Sequence, residues 1–358
     1  MLLAAESLDT KNSGIGRVAR LMAKALDELA RERALTVSAV SLSDRRTGYR
    51  DWPWVTPCGG RRMAYVLRVQ GRALRADAVL YDSLSMARTH FMGPARRRTA
   101  LAWMHGIEVW EDARPAHIVV ARRTDVLVTN SDFTRRRAAA LHAGLDRARV
   151  CWLGTESDVV PDIGHRSGGP PAALILSRID ERSYKGHHDL IEAWPAVVKQ
   201  VPGARLLIAG TGPGLEEIRR LAQTSPAATG IELIGFVPEE ELPVLWARSS
   251  VFAMPSRGEG FGLVYIEAMR HGLPIIASRQ DAGQEVNVDG ETGFNVDLER
   301  PADLVEALVA LLGDRQRAQA LGGAGQQRWR WHFTWNAFRS RFRAMLAEAV
   351  VPRPQIGK

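Results

Sequence analysis

The residues best suited to chemistry lie in one run, Pro255-Ser-Arg-Gly-Glu-Gly-Phe-Gly-Leu-Val-Tyr-Ile-Glu267. Gly258, Gly260 and Gly262 follow an apolar segment and lead into a helix, which the pattern starts near Phe261 and which Gly272 and Pro274 close. Glycines at a strand-to-helix turn let backbone amides approach an anion, and a helix N-terminus favours negative charge. That suits a phosphate. Glu259 stands in the turn and Glu267 follows within the helix, where both can accept hydrogen bonds from hydroxyls. Either glutamate alone reads as a structural residue, a helix-start carboxylate or a solvated helix glutamate. The segment as a whole points to a ligand.

A second group is cationic. Arg178 ends an apolar run, and Lys185-Gly186 lies in the loop that follows. Two cations near a strand end can neutralise a leaving diphosphate without a metal, although a pair of solvated loop cations would look the same in sequence. The chain has no D-x-D motif of the kind that holds a metal–diphosphate, so no metal and no cofactor are expected. Ser13-Gly14-Ile15-Gly16 opens the first helix with a serine cap and room for close backbone approach. A plain capped helix explains that run as well. His105-Gly106 follows another apolar run, where a histidine either bonds a substrate or serves the fold. Gly210-Thr-Gly-Pro-Gly214 lacks G-x-G-x-x-G spacing and reads as a turn and cap.

These residues must be positioned by alternating strands and helices. Met1–Ala5, Thr36–Leu42, Ala78–Tyr81, Thr99–Met104, Val126–Thr129 and Val150–Leu153 read as strands in the first half. Ile15, Val18, Met22, Leu26 and Leu29 share one helical face. A Gly/Pro-rich stretch at Pro161–Pro171 breaks the alternation, and it then restarts. Strands follow at Ala172–Ile179, Ala204–Ala209, Ile231–Phe236, Val251–Met254 and Pro274–Ala277, with helices between them. The expected fold is α/β, with two doubly wound, Rossmann-like parallel sheets facing across a cleft. The expected domains are 1–164, 165–333 and a C-terminal helix, 334–358, packing on the first domain. Ligands of such sheets bind outside the strand C-terminal ends.

Composition narrows the class. The chain has 358 residues, 46% hydrophobic and 25% charged, and two cysteines. This is globular, with no disulfide framework and no cysteine-rich zinc site. No apolar run is long enough to span a membrane, and the start MLLAAESLD does not read as a signal peptide, so a cytoplasmic protein is expected.

The run from Arg178 through Lys185-Gly186, IAGTGPGLEEI, IGFVPEEELPVLW, PSRGEGFGLVYIEAM and HGLPIIAS to GQEVNVDGETGFNV resembles family-4-type retaining glycosyltransferases of the glycosyltransferase-B fold. The likeness is dense over 172–297 and looser over 1–160. SGIG and WLGTE depart from the paired glycines and the Asn-Gly-Val-Asp type sequence of many members. The resemblance places the E-x7-E element on Glu259, facing the donor sugar, and Glu267, facing the ribose. It assigns the diphosphate to Arg178 and Lys185, and the distal phosphate to backbone at Gly260, Phe261, Gly262 and Leu263. Gly14 and Gly16 would close over that phosphate, and His105 would stand near the transferred sugar. The implied reaction moves a hexose from a UDP- or GDP-sugar to a saccharide or lipid-linked acceptor, with retention and front-face attack, in polysaccharide or glycolipid synthesis. An epimerase or phosphorylase of the same fold is the alternative.

Net charge is +8 overall, but divides into +8 for 1–165, −6 for 166–327 and +6 for 328–358. The basic tail carries Trp329, Trp331 and Trp335, and the first half carries Trp52 and Trp54. Indoles and arginines together suit an anionic membrane, so peripheral binding at the inner face of the plasma membrane is a further expectation, with buried packing residues as the alternative. No nucleic-acid partner is expected, because no recognisable binding module occurs and the centre is acidic. A dinucleotide oxidoreductase is disfavoured because Gly14-Ile-Gly-Arg-Val-Ala19 lacks the third glycine.

Overall fold

Seven short apolar runs of the first unit pair in parallel as β1 Leu2–Ala5, β2 Ser38–Ser41, β3 Val55–Pro57, β4 Ala78–Tyr81, β5 Thr99–Met104, β6 Val126–Thr129 and β7 Arg149–Val150. Six more form β8 Ala172–Leu176, β9 Arg205–Ala209, β10 Ile231–Gly235, β11 Val251–Ala253, β12 Ile275–Ser278 and β13 Gly293–Val296. In this computed structural model all residues are described except 9–13, 46–51, 162–168, 183 and 350–358. Ser13 and most of the Pro161–Pro171 stretch therefore lie outside the described residues.

The sheet orders are β3-β2-β1-β4-β5-β6-β7 and β10-β9-β8-β11-β12-β13, and every pairing is parallel. Central strands such as Leu2–Ala5 and Ala78–Tyr81 are buried along their whole length. This is why they read as unbroken apolar runs rather than alternating ones. Both sheets are doubly wound, as the strand–helix alternation requires. Strand order reverses between β1 and β4 in one sheet and between β8 and β11 in the other, and these reversals are the expected ligand positions. Expected and observed strand bounds agree within a few residues, but β3 and β13 have no counterpart among the expected strands.

The first compact unit is Met1–Glu156 together with the chain from Asn336, and the second is Ser157–Trp335. In the first unit the helix Trp335–Ala349 lays Phe338 and Phe342 in the core, and Phe342 lies 6.2 Å from Trp103 between ring centroids. Arg339 reaches Glu28 and Glu32, and Arg341 donates to the Trp152 carbonyl at 3.0 Å. Arg339 and Arg341 thus serve the helix's own attachment.

The tryptophans correct an expectation. Trp329 is fully buried in the second unit and Trp335 is buried as well, leaving Trp331 as the exposed indole of the tail. Trp54 is half-buried and donates to Asp27 Oδ1 at 2.8 Å, and Arg20 lies over the Trp52 ring. Large rings gain more from packing than from exposure, so these five residues do not form one lipid-facing surface.

Candidate active site

In the second unit the structure gathers most of the expected residues at the sheet's reversal point. The chain leaves β8 with Arg178 two residues beyond the strand, and Gly186 opens the helix His187–Gln200. Gly186 adopts φ +92°, and a Cβ there would come within 2.5 Å of the Pro255 carbonyl oxygen. The Lys185 loop therefore lies directly against the turn after β11. Lys185 and Glu259 are ion-paired, and each side chain is 15% exposed.

A continuous polar array runs outward from this pair. The Lys185 Nζ lies 4.8 Å from the centroid of the Tyr184 ring, the Tyr184 hydroxyl donates to Asp180 Oδ2 at 3.3 Å, and Arg178 Nε donates to Asp180 Oδ1 at 2.7 Å. Lys185 and Arg178 are thus the two ends of one network, one buried and one 64% exposed. Burial opposes the charge on Lys185, but Glu259, Tyr184 and Asp281 together raise its pKa above the ordinary lysine value. The ammonium stays charged. His187 is different: burial, reinforced by His188 and Lys185, lowers its pKa to about 4 and keeps it neutral.

Glu259 is held from beneath by Asp281, three residues past β12. Asp281 Oδ2 accepts from the Glu259 amide and Oδ1 from the Gly283 amide, both at 2.8 Å, and the Ala282 amide donates back to the Glu259 carbonyl at 3.0 Å. Burial, then the charge of Glu259, pushes Asp281 up to about 7. Arg257 makes a two-pronged pair with Asp189 at 2.8 Å on each prong, tying the turn to the helix His187–Gln200. Asp281, Asp189, Asp180 and Tyr184 escaped the sequence reading. Asp281 was findable as a carboxylate just after a strand end.

The turn then enters the helix Leu263–Arg270, two residues later than the pattern placed it. Gly262 caps it at φ +86°, with no side-chain cap, and a Cβ there would sit 2.3 Å from the Tyr265 ring. Phe261 turns its ring into the core against Phe333, centroids 5.9 Å apart, so only its backbone faces the turn. Among the described residues the amides of Phe261, Gly262 and Leu263 have no protein acceptor. Three unsatisfied donors at a helix start, two to four residues from a charged lysine–glutamate pair, form an anion seat. Glu267 is half-buried on the same helix; burial lowers the pKa of Arg270, and the charge of Glu267 partly offsets this.

The glycine-rich segment 210–214 also does more than turn and cap. A Cβ at Gly210 would fall 1.8 Å from the Ser177 carbonyl oxygen, and the Gly214 amide donates to the Ile179 carbonyl at 3.1 Å. This loop therefore packs against the backbone that carries Arg178.

His105, Gly14 and Gly16 belong to the first unit. His105 Nε2 donates to the Asp82 carbonyl at 2.7 Å, its amide donates to Glu108 Oε1 at 2.5 Å, and Asn130 Nδ2 lies 3.4 Å from Nδ1. That arrangement puts an Nε2 proton toward the Asp82 carbonyl. Asp82, at the end of β4, accepts from the Glu6 amide at 2.7 Å and from Ser83, and burial pushes its pKa to about 7. Gly14 and Gly16 begin the helix Gly14–Arg31; Gly14 is exposed, and a Cβ on it would meet nothing. Among the described residues, no packing demands a glycine there.

Residues 170–314 match the family model for glycosyl transferases group 1. The chain is 34% identical over 273 residues, 70% of each chain, to a GDP-mannose-dependent alpha-(1-6)-phosphatidylinositol monomannoside mannosyltransferase of Mycobacterium tuberculosis. It is also 34% identical over 268 residues, 67% of this chain and 70% of the relative, to the protein so named of Mycolicibacterium smegmatis. Among solved structures, HepE of Anabaena with UDP and glucose aligns over 97% of this chain and 99% of its own, with a TM-score of 0.77 at 17% identity. Sucrose-phosphate synthase of Thermosynechococcus elongatus aligns over 97% and 98%, with a TM-score of 0.74 at 19% identity. By its sequence and by its two doubly wound sheets, the chain belongs to the group 1 glycosyltransferases, of the family-4 type with the glycosyltransferase-B fold.

Proposed function

We propose that this glycosyltransferase moves a hexose from a nucleoside diphosphate sugar to a lipid-linked saccharide, with retention and without a metal ion. The observation that carries the reading is the seat formed by the Phe261, Gly262 and Leu263 amides beside Lys185 and Glu259. A diphosphate placed there meets unpaired amides, a helix N-terminus and a permanent ammonium. Charge developing on the leaving phosphate is then stabilised by fixed groups, the largest single contribution to many catalysed rates. These groups supply the positive charge that a divalent ion would bring, which supports metal independence.

Glu259 is oriented by Asp281 and offers a carboxylate to the sugar, while Glu267 accepts from the ribose hydroxyls. The transition state is oxocarbenium-like, so a carboxylate close to the sugar favours it. With no residue assigned as a nucleophile, the leaving phosphate oxygen takes the proton of the acceptor hydroxyl on the same face. The names of the mycobacterial relatives favour GDP-mannose as the donor and a phosphatidylinositol mannoside as the acceptor type.

Direct assay tests this. Purified protein in excess EDTA is given GDP-mannose or UDP-glucose with lipid extract, and the anomeric configuration of the product is read by NMR. Transfer with an α linkage from the α-linked donor is the expected result. Activity lost in EDTA and restored by magnesium overturns metal independence, a β linkage overturns retention, and donor turnover without any acceptor points to an epimerase.

A further inference from the structure

The most exposed apolar side chains of the first unit lie together. The helix Arg62–Ala73 buries Tyr65, Val69 and Ala73. On it Met63 and Leu67, and at its C-cap Leu74, are 72%, 67% and 57% exposed. At about 100° per residue these three fall within an arc of about 40° on the side opposite Tyr65 and Val69. Met92, 69% exposed, ends the adjoining 3-10 turn Arg88–Met92. Gln70 joins the two segments by donating to the Thr89 carbonyl and accepting from the Ala95 amide at 2.8 Å, and Arg98 donates to the Leu74 carbonyl at 2.7 Å.

Positive charge surrounds this apolar stripe. Residues 61–98 hold nine arginines against two aspartates, and one of those, Asp82, is buried. This stretch contains nearly all of the first half's excess charge. Arg62, Arg75, Arg88, Arg96 and Arg97 are exposed, and among the described residues none of them pairs with a carboxylate. A helix with a buried stripe on one side and an apolar, arginine-flanked stripe on the other has two partners to satisfy. The core is one.

We propose that this face docks on an anionic lipid bilayer, with Met63, Leu67, Leu74 and Met92 entering the boundary of the acyl chains and the arginines meeting headgroup phosphates. Charge complementarity selects an anionic partner, and the apolar stripe selects a bilayer over a nucleic acid, which arginines alone would satisfy. The proposal deepens the reading of a lipid-linked acceptor, and it is tested without donor or acceptor, so either can fail alone.

The full chain is sedimented with vesicles of equal parts phosphatidylglycerol and phosphatidylcholine, at low and high salt, and with phosphatidylcholine alone. Binding to the anionic vesicles that weakens with salt is expected. Each exposed arginine near the surface is worth roughly fivefold in partition, so Arg62→Gln with Arg96→Gln and Arg97→Gln weakens it about a hundredfold. Met63→Ser with Leu67→Ser weakens it at both salt concentrations, because apolar insertion is not screened. Cys58 and Cys151 are buried, so a polarity-sensitive dye on Leu67→Cys reports insertion by a blue shift. All these positions are exposed, and transfer to a water-soluble acceptor analogue should be unchanged. Three results overturn the proposal: no sedimentation with anionic vesicles at low salt, binding indifferent to both sets of substitutions, or a DNA duplex that binds wild type and Met63→Ser/Leu67→Ser equally and displaces lipid.

Discussion

The two sheets have the same winding but different rims. Where β8 and β11 end, the chain places a buried ammonium, Glu259 and three unsatisfied amides. Where β4 and β5 end, it places a histidine held by a carbonyl and an asparagine, beside a buried Asp82. One rim suits a phosphate and the other suits uncharged hydroxyls. Topology fixes where a ligand can sit, and the few side chains at the strand ends decide its charge.

The comparison breaks most sharply at Lys185. Lys185→Ala should cost on the order of 3 kcal/mol of transition-state stabilisation, about a hundredfold in kcat/KM. A loss below threefold would make the lysine a structural partner of Glu259 and nothing more. Glu259→Gln should lower kcat by about tenfold or more, whereas Glu267→Gln should act on donor KM, and steady-state kinetics at varied donor separates the two. Arg178→Ala should cost less than about tenfold, because its guanidinium is exposed and already shared with Asp180. If it equals Lys185→Ala, the array closes on the ligand more tightly than the unliganded geometry implies.

A separate effect, on stability rather than rate, is common to both rims. Asp82 and Asp281 are each pushed up to about 7 by burial. The folded chain therefore keeps protons that the unfolded chain releases from about pH 4. Stability falls as pH rises through the window from about 4 to 7, by at most one proton for each aspartate, or about 1.4 kcal/mol per pH unit. Asp82→Asn and Asp281→Asn should each flatten that slope, as read by denaturant unfolding at several pH values between 4 and 8. A slope unchanged in both variants would mean that neither aspartate holds its proton.

The apolar runs made the central strands legible, but two of the four edge strands, β3 and β13, were not. β3 is Val-Thr-Pro, three residues with a proline, and β13 begins with glycine in Glu291-Thr-Gly-Phe-Asn. Edge strands need only one partner, so a short polar run suffices. The charged site residues were legible because their types and spacing sit at strand ends. Asp281 also stands just past a strand end, but its role rests on a hydrogen bond to an amide 22 residues away, which spacing alone does not show. The tryptophans misled because sequence shows a ring's chemistry and not its burial. The surface on Arg62–Ala73 was hidden for the same reason, since Met63 and Leu67 look like core residues until their neighbours are known.

The helix Trp335–Ala349 has a consequence for how the protein is made. The first unit is discontinuous, and its core waits for Phe338 and Phe342, while Arg339 meets Glu32 across 307 residues of sequence. At roughly 5–20 residues per second, translating the second unit takes on the order of ten to forty seconds. Throughout that interval the nascent first sheet lacks its closing helix, and Trp103 lacks its aromatic neighbour Phe342. The second unit, Ser157–Trp335, is continuous and can complete its core on the ribosome before the first. Truncation near Asn336 should therefore leave a chain whose early-made half is the one that aggregates.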